Sequence, residues 1–294
     1  MRKIAVVVIH GMGKQTKKGD PEDSTSLSFS RGMRDAIEAR LGVERMRDVT
    51  WREIFWQEIL ETRQSDLSER MEPIQHVGFF RKLILSYIGD GANFAYSPRP
   101  ESTYQRVHAR IRAALDSARA EAGDDAPLVI LAHSLGGHMM STYLWDNNPR
   151  SRDGEPPHPP ATETPAEAFM RGGTLAALVT FGCNIPVFAF AHDDVKAIDP
   201  RRWATAGYLR PTWWHNFFSP ADGLSFPLGP TGGEYFTLAN PGPQDQPAQL
   251  QDWRVVVGGL LTAWNIGSHS KYWTASDLIG PTSAILRQVQ GTGG

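Results

Sequence analysis

The stretch Leu128-Val129-Ile130-Leu131-Ala132-His133-Ser134-Leu135-Gly136-Gly137 decides how the chain folds. Its apolar residues read as a short buried strand, and the run from His138 to about Trp145 reads as a helix, so Ser134 stands at a strand-to-helix turn. Strand and helix pass close together at such a turn, which therefore needs small flanking residues. Ala132 and Gly136 supply them, in a G-x-S-x-G pattern with alanine in the first place. A serine lifted clear of the backbone in this way is a candidate nucleophile. The N–H of Leu135, at the start of the following helix, is a candidate oxyanion donor. A serine capping an ordinary helix would look much the same, so the decision rests on what lies on either side.

Upstream, Met1-Arg2-Lys3 precedes the apolar run Ile4 to Ile9, which is too short for a secretion signal and lacks a small-residue cleavage site. Its β-branched residues predict a buried parallel strand. That strand runs into His10-Gly11-Met12-Gly13, where two glycines permit a tight turn that presents backbone N–H groups to an anion, a phosphate or an oxyanion. Gly11-Met12-Gly13-Lys14 completes neither a phosphate loop nor a dinucleotide fingerprint. The oxyanion role fits best, with the N–H of Met12 as second donor beside that of Leu135. His10, Gly11 and His133 flank these two turns and are expected on the substrate side, lining or supporting the pocket.

Along the rest of the chain, helical spacing runs from Leu27 through Met33, Ile37 and Leu41, and Val49-Thr50-Trp51 reads as the next strand. Residues 54–96 hold two apolar segments that read as packed helix, with a lid or a membrane-surface segment as the alternative. A helix over Tyr104 to Ala120 stops at Gly123 ahead of the serine strand, and Asn147 to Pro165 is a proline-rich surface excursion. Leu175 to Phe181 and Trp213 to Phe218 are further strands, with residues 186–211 irregular between them. Gly229 to Gln251 reads as a long loop, Val255-Val256-Val257 as a last strand, and about Thr274 to Val289 as the final helix. Strands alternating with helices predict an α/β fold: a mostly parallel central sheet with helices on both faces. The expected organisation is one domain over 1–294, with lid or cap insertions at about 54–96 and 183–211.

Composition narrows the class of partner. The 294 residues are 40% hydrophobic and 21% charged, with 30 Lys plus Arg against 32 Asp plus Glu, for a net charge of −2. This balance gives no reason to expect nucleic acid. The one cysteine, Cys183, excludes an internal disulfide and a multi-cysteine metal site, and suits a reducing cytoplasm. No stretch of about 18 apolar residues spans a membrane, though peripheral contact is compatible with the chain.

Two more residues complete the pattern. Ser219-Pro220-Ala221-Asp222 follows a parallel strand and sets a carboxylate at the edge of the sheet where ligands bind; the alternative is an aspartate bonding its own turn. His269, in Ser268-His269-Ser270-Lys271-Tyr272-Trp273, is the last of nine histidines. The succession of His10-Gly11-Met12-Gly13, the Ser134 turn, Asp222 and then His269 resembles the α/β-hydrolase fold, whose nucleophile, acid and histidine come in that order. The His-Ser-Leu-Gly-Gly and His-Ser-x-Tyr-Trp stretches are similar to those of lipase-like esterases. The resemblance implies acyl transfer through a covalent intermediate on Ser134, with His269 as base and Asp222 orienting it, no metal or organic cofactor, and a hydrophobic ester or lipid as substrate. A thioesterase or acyltransferase of the same fold, and a hydrolase-fold protein that binds without turnover, are the alternatives. Asp193, Asp194 and Asp199 are rival acids. Cys183 lacks a small-residue turn and reads as a packed thiol.

Overall fold

The computed structural model describes residues 2–11, 20–59, 94, 96–148, 163–189, 195–242, 246–257 and 266–291. Six strands form one sheet: β1 Ile4–Ile9, β2 Val49–Ile54, β3 Leu128–His133, β4 Leu175–Phe181, β5 Trp214–Phe218 and β6 Leu250–Arg254. They lie in the order β2-β1-β3-β4-β5-β6, and every neighbouring pair is parallel. The helices are α1 Arg31–Leu41, α2 Val43–Met46, α3 Thr103–Ala122, α4 Leu135–Asp146, α5 Pro165–Met170, α6 Ile185–Ala189, α7 Gly233–Ala239, α8 Ile266–His269 and α9 Ser276–Gly291.

Alternation along β1 shows why the sheet carries helices on both faces. Ile4, Val6 and Val8 join a core with Met33 and Ile37 of α1 and Leu286 of α9, while Ala5, Val7 and Ile9 join a second core with Ile111 of α3 and Met139 of α4. A strand whose two faces are both covered must be apolar at every position, and β1 is completely buried.

The strand order also places the site. From β1 the chain crosses to β2 on one side and then returns to β3 on the other, so the direction of winding reverses between β1 and β3. Loops leaving the carboxyl ends of two such strands diverge and leave a crevice. Those two loops begin with His10-Gly11 and with Ser134.

Four expectations differ. The helix expected from Leu27 starts at Arg31 with Ser30 as its N-cap, because the N–H and Oγ groups of Ser28 and Ser30 are both taken by the Glu53 carboxylate. The loop expected over Gly229 to Gln251 contains α7 and the start of β6. The last strand is Leu250–Arg254, and Val255 and Val257 pack into the core beyond its end. His269, expected in a loop, closes the short helix α8. Most of the 54–96 insertion, with residues 190–194 of the 183–211 insertion, lies outside the described residues. Among the described residues no helix is long and apolar enough to cross a membrane.

Candidate active site

Ser134 follows β3 directly and precedes α4, with φ 54° and ψ −127°. It is the one non-glycine residue at positive φ among those described, in a region that costs an L-residue roughly 1–3 kcal/mol. Its backbone is held from both sides: Ser134 N–H donates to Phe181 O at 2.9 Å, and Gly137 N–H donates to Ser134 O at 2.9 Å.

The small residues around it are required by contact. A Cβ on Gly136 would lie 2.7 Å from the His10 carbonyl oxygen, and one on Gly11 would lie 2.2 Å from Ser134 Cβ. The glycine turn after β1 therefore lies directly against the serine turn after β3. Gly137 clears Cys183 in the same way, a Cβ there falling 2.7 Å from its Sγ. Burial pushes the Cys183 thiol up to about 12, leaving it a packed, unreactive group.

Ser134, His269 and Asp222 come from distant parts of the chain, His269 lying 135 residues from the serine and 47 from the aspartate, and they meet in line. Ser134 Oγ lies 2.6 Å from His269 Nε2, and His269 Nδ1 lies 2.7 Å from Asp222 Oδ2. A carboxylate only accepts, so Nδ1 carries the proton and Nε2 is left to accept from the serine hydroxyl. Asp222 is fixed by its other oxygen, which accepts the Leu224 N–H at 3.0 Å, so it bonds its own turn and the imidazole at once. Relative exposure is 0% for Ser134, 3% for Asp222 and 5% for His269, and at such burial each of these hydrogen bonds is stronger than in water. Among the rival acids, Asp199 pairs with Arg201 and Arg202, and Asp193 and Asp194 lie outside the described residues.

Of the two expected oxyanion donors, Leu135 is the first residue of α4, where N–H groups have no intrahelical acceptor. Met12 lies outside the described residues, one position beyond the Gly11 that touches Ser134. His10 and His133 are both turned into the protein. His10 lies flat on Trp56, with ring centroids 5.1 Å apart, and donates from Nδ1 to Gly11 O at 2.5 Å. Burial drives its pKa down to about 4, so it is neutral near pH 7. His133 donates from Nε2 to the His269 carbonyl at 2.9 Å.

Tyr272, a residue that sequence reasoning left without a role, accepts the Ser219 N–H at 2.9 Å and so anchors the turn that carries Asp222. Burial, then the nearby Asp222 charge, hold its phenol protonated. Its signal in the sequence is its place three residues after His269, one helical turn on. Gly182, at φ 59°, leaves room where a Cβ would press on Tyr272, His269 and His133. No group of three or more His, Cys, Asp and Glu side chains among the described residues is placed to hold a metal ion.

No model of a known protein family matches this chain, and no curated protein is significantly similar to it. Its six-stranded parallel sheet flanked by helices is an α/β architecture compatible with the α/β-hydrolase fold.

Proposed function

We propose that the protein is a serine hydrolase of the α/β-hydrolase type that cleaves a hydrophobic carboxylic ester. The observation that carries this reading is the unbroken relay from Ser134 Oγ through His269 to Asp222, set on a strained turn at the reversal point of the sheet. Strain is retained where surrounding structure over-determines it, and functional sites are where it gathers.

His269 Nε2 takes the hydroxyl proton as Ser134 Oγ attacks the ester carbonyl carbon, and the carbonyl π pair moves onto oxygen. Leu135 N–H, with Met12 N–H as its proposed partner, receives the oxyanion. Asp222 stabilises the imidazolium that forms, without itself taking the proton. Collapse of the intermediate returns the proton from Nε2 to the departing alkoxide and leaves an acyl group on Ser134. A water then repeats the cycle and frees the acid. A hydrophobic acyl group suits the carboxyl edge of the sheet, where α6 begins four residues after the end of β4 and carries an exposed Val187 and a half-buried Phe188 stacked on His138. The lone thiol, Cys183, leaves no disulfide to preserve and supports a cytoplasmic setting.

The test is a fluorophosphonate probe on the purified protein, with the labelled residue located by mass spectrometry, followed by turnover of p-nitrophenyl esters of increasing chain length. Wild type is expected to label at Ser134. Ser134→Ala should abolish labelling and cut turnover by about 10⁴- to 10⁶-fold, with large losses also for His269→Ala and Asp222→Asn. Folded wild type that neither labels nor turns over any ester overturns the reading and leaves a binding protein.

A further inference from the structure

We propose that His133 is a positioning residue for the base: held as the neutral Nε2–H tautomer, it hydrogen-bonds the His269 carbonyl and so sets the reach of His269 to Ser134. The proposal rests on the hydrolase reading above.

His133 ends β3 and directly precedes Ser134, so two adjacent residues hold the same histidine. One holds its main chain at 2.9 Å and the other its side chain at 2.6 Å. That main chain needs holding, because α8 is only Ile266–His269 and passes at once into a 3-10 turn over Ser270–Thr274. A displacement of His269 away from the nucleophile would have to stretch both bonds.

The choice of histidine for this place is itself informative. A carbonyl only accepts, so Nε2 bears the proton and Nδ1 is left with a lone pair. Among the described residues Nδ1 has no hydrogen-bond partner, and it is buried in a ring only 2% exposed and packed near Phe181 and Trp273, with centroids 5.2 and 5.3 Å away. An orphaned acceptor is a standing loss, and an apolar side chain would fill the same space without it. The donor on the opposite nitrogen is what the imidazole adds. Neutrality matters as well, because the centroid of the His269 ring is 4.8 Å away and that ring must itself become cationic during acyl transfer. Burial first, and then the His269 charge, hold His133 far below the usual histidine range.

The experiment compares second-order fluorophosphonate labelling of Ser134 in wild type, His133→Leu and His133→Gln, with a melting curve for each. Long-range ¹⁵N–¹H correlation spectra of histidine-labelled wild type are recorded alongside. His133→Leu, which removes the donor, should label about 10- to 100-fold more slowly while staying folded. His133→Gln, whose amide N–H can reach the same carbonyl, should recover most of the rate. The spectra should show His133 as neutral Nε2–H from about pH 5.5 to 8. Labelling of folded His133→Leu at the wild-type rate, a glutamine variant no faster than the leucine one, or an Nδ1–H or charged His133 each overturns the positioning role while leaving the hydrolase reading intact. If either variant fails to fold, the wild-type spectra decide. Wild type that does not label overturns the hydrolase reading, and with it the reaction that His133 would serve.

Discussion

Ser134 combines two demands that pull apart: its hydroxyl must stand free of the backbone toward His269, and its backbone must adopt φ 54° to put it there. A glycine takes that conformation without penalty, whereas any L-residue bears the strain. Replacing Ser134 by alanine removes the hydroxyl and keeps the strain; replacing it by glycine removes both. Ser134→Gly is therefore expected to be more stable than Ser134→Ala by about 1–2 kcal/mol, once the greater freedom of unfolded glycine is set against the strain relieved. Guanidinium denaturation of the two variants measures the difference, and a glycine variant less stable than the alanine one by about 0.4–1 kcal/mol, the unfolded-state cost alone, would mean that the turn is unstrained. Much of the site at this scale is legible in sequence. A serine between small residues, after an apolar run, has few conformations open to it, and the contacts of Gly11 and Gly136 follow from close approach of backbone. The bond from His133 to the His269 carbonyl is not legible, because a contact between residues 136 apart leaves no mark in spacing.

β2 supports the site through Glu53, one residue before its end. This buried carboxylate accepts hydrogen bonds from the N–H and Oγ of Ser28, both at 2.9 Å, and from the N–H and Oγ of Ser30 at 2.7 and 2.6 Å. The segment so pinned carries Phe29, whose ring meets His10 edge-on at 4.9 Å and Trp273 at 5.4 Å. The strand thus braces both the glycine turn and the chain that follows His269. Glu53→Gln turns an amide N–H₂ toward donors that need an acceptor, and should lower stability by roughly 3 kcal/mol. The check is the denaturation midpoint at neutral pH; a shift of under about 1 kcal/mol would show that the segment is held by packing alone. The same contact explains why the start of α1 is not legible in sequence, since the acceptor lies 23 residues further along the chain. Edge position explains β6. Gln251, Trp253 and Arg254 are exposed there, so the strand lacks the apolar run by which β1, β3 and β4 declare themselves, and the valines beyond it carry that signal instead.

Taken whole, the molecule buries several imidazoles, and this decides how it meets acid. His10 is buried just after β1 and His133 at the end of β3; the first titrates at about 4 and the second well below the ordinary histidine range, in each case chiefly because burial opposes the charged form. His108 and His215, less deeply placed, are also driven by burial to about 4. In the unfolded chain each titrates near 6.5. A folded-state pKa below the unfolded value means that unfolding takes up protons, so stability is complete above about pH 6.5 and falls as pH drops toward 4. A histidine that stays neutral in the folded protein costs about 1.4 kcal/mol for each unit of pH below its unfolded value, so His10 and His133 together remove roughly 3 kcal/mol per pH unit from a total of about 5–15 kcal/mol for a typical domain. The guanidinium midpoint should therefore fall steeply between about pH 6.5 and 4.5 with its slope unchanged, while remaining nearly level from about pH 7 to 8. His133→Leu removes one of the protons taken up and should make the acid limb shallower by about 1.4 kcal/mol per pH unit. A wild-type midpoint that stays level to pH 4.5 would mean that these imidazoles are reached by water in the folded state, and the dry packing around His10 and His133 would have to be abandoned.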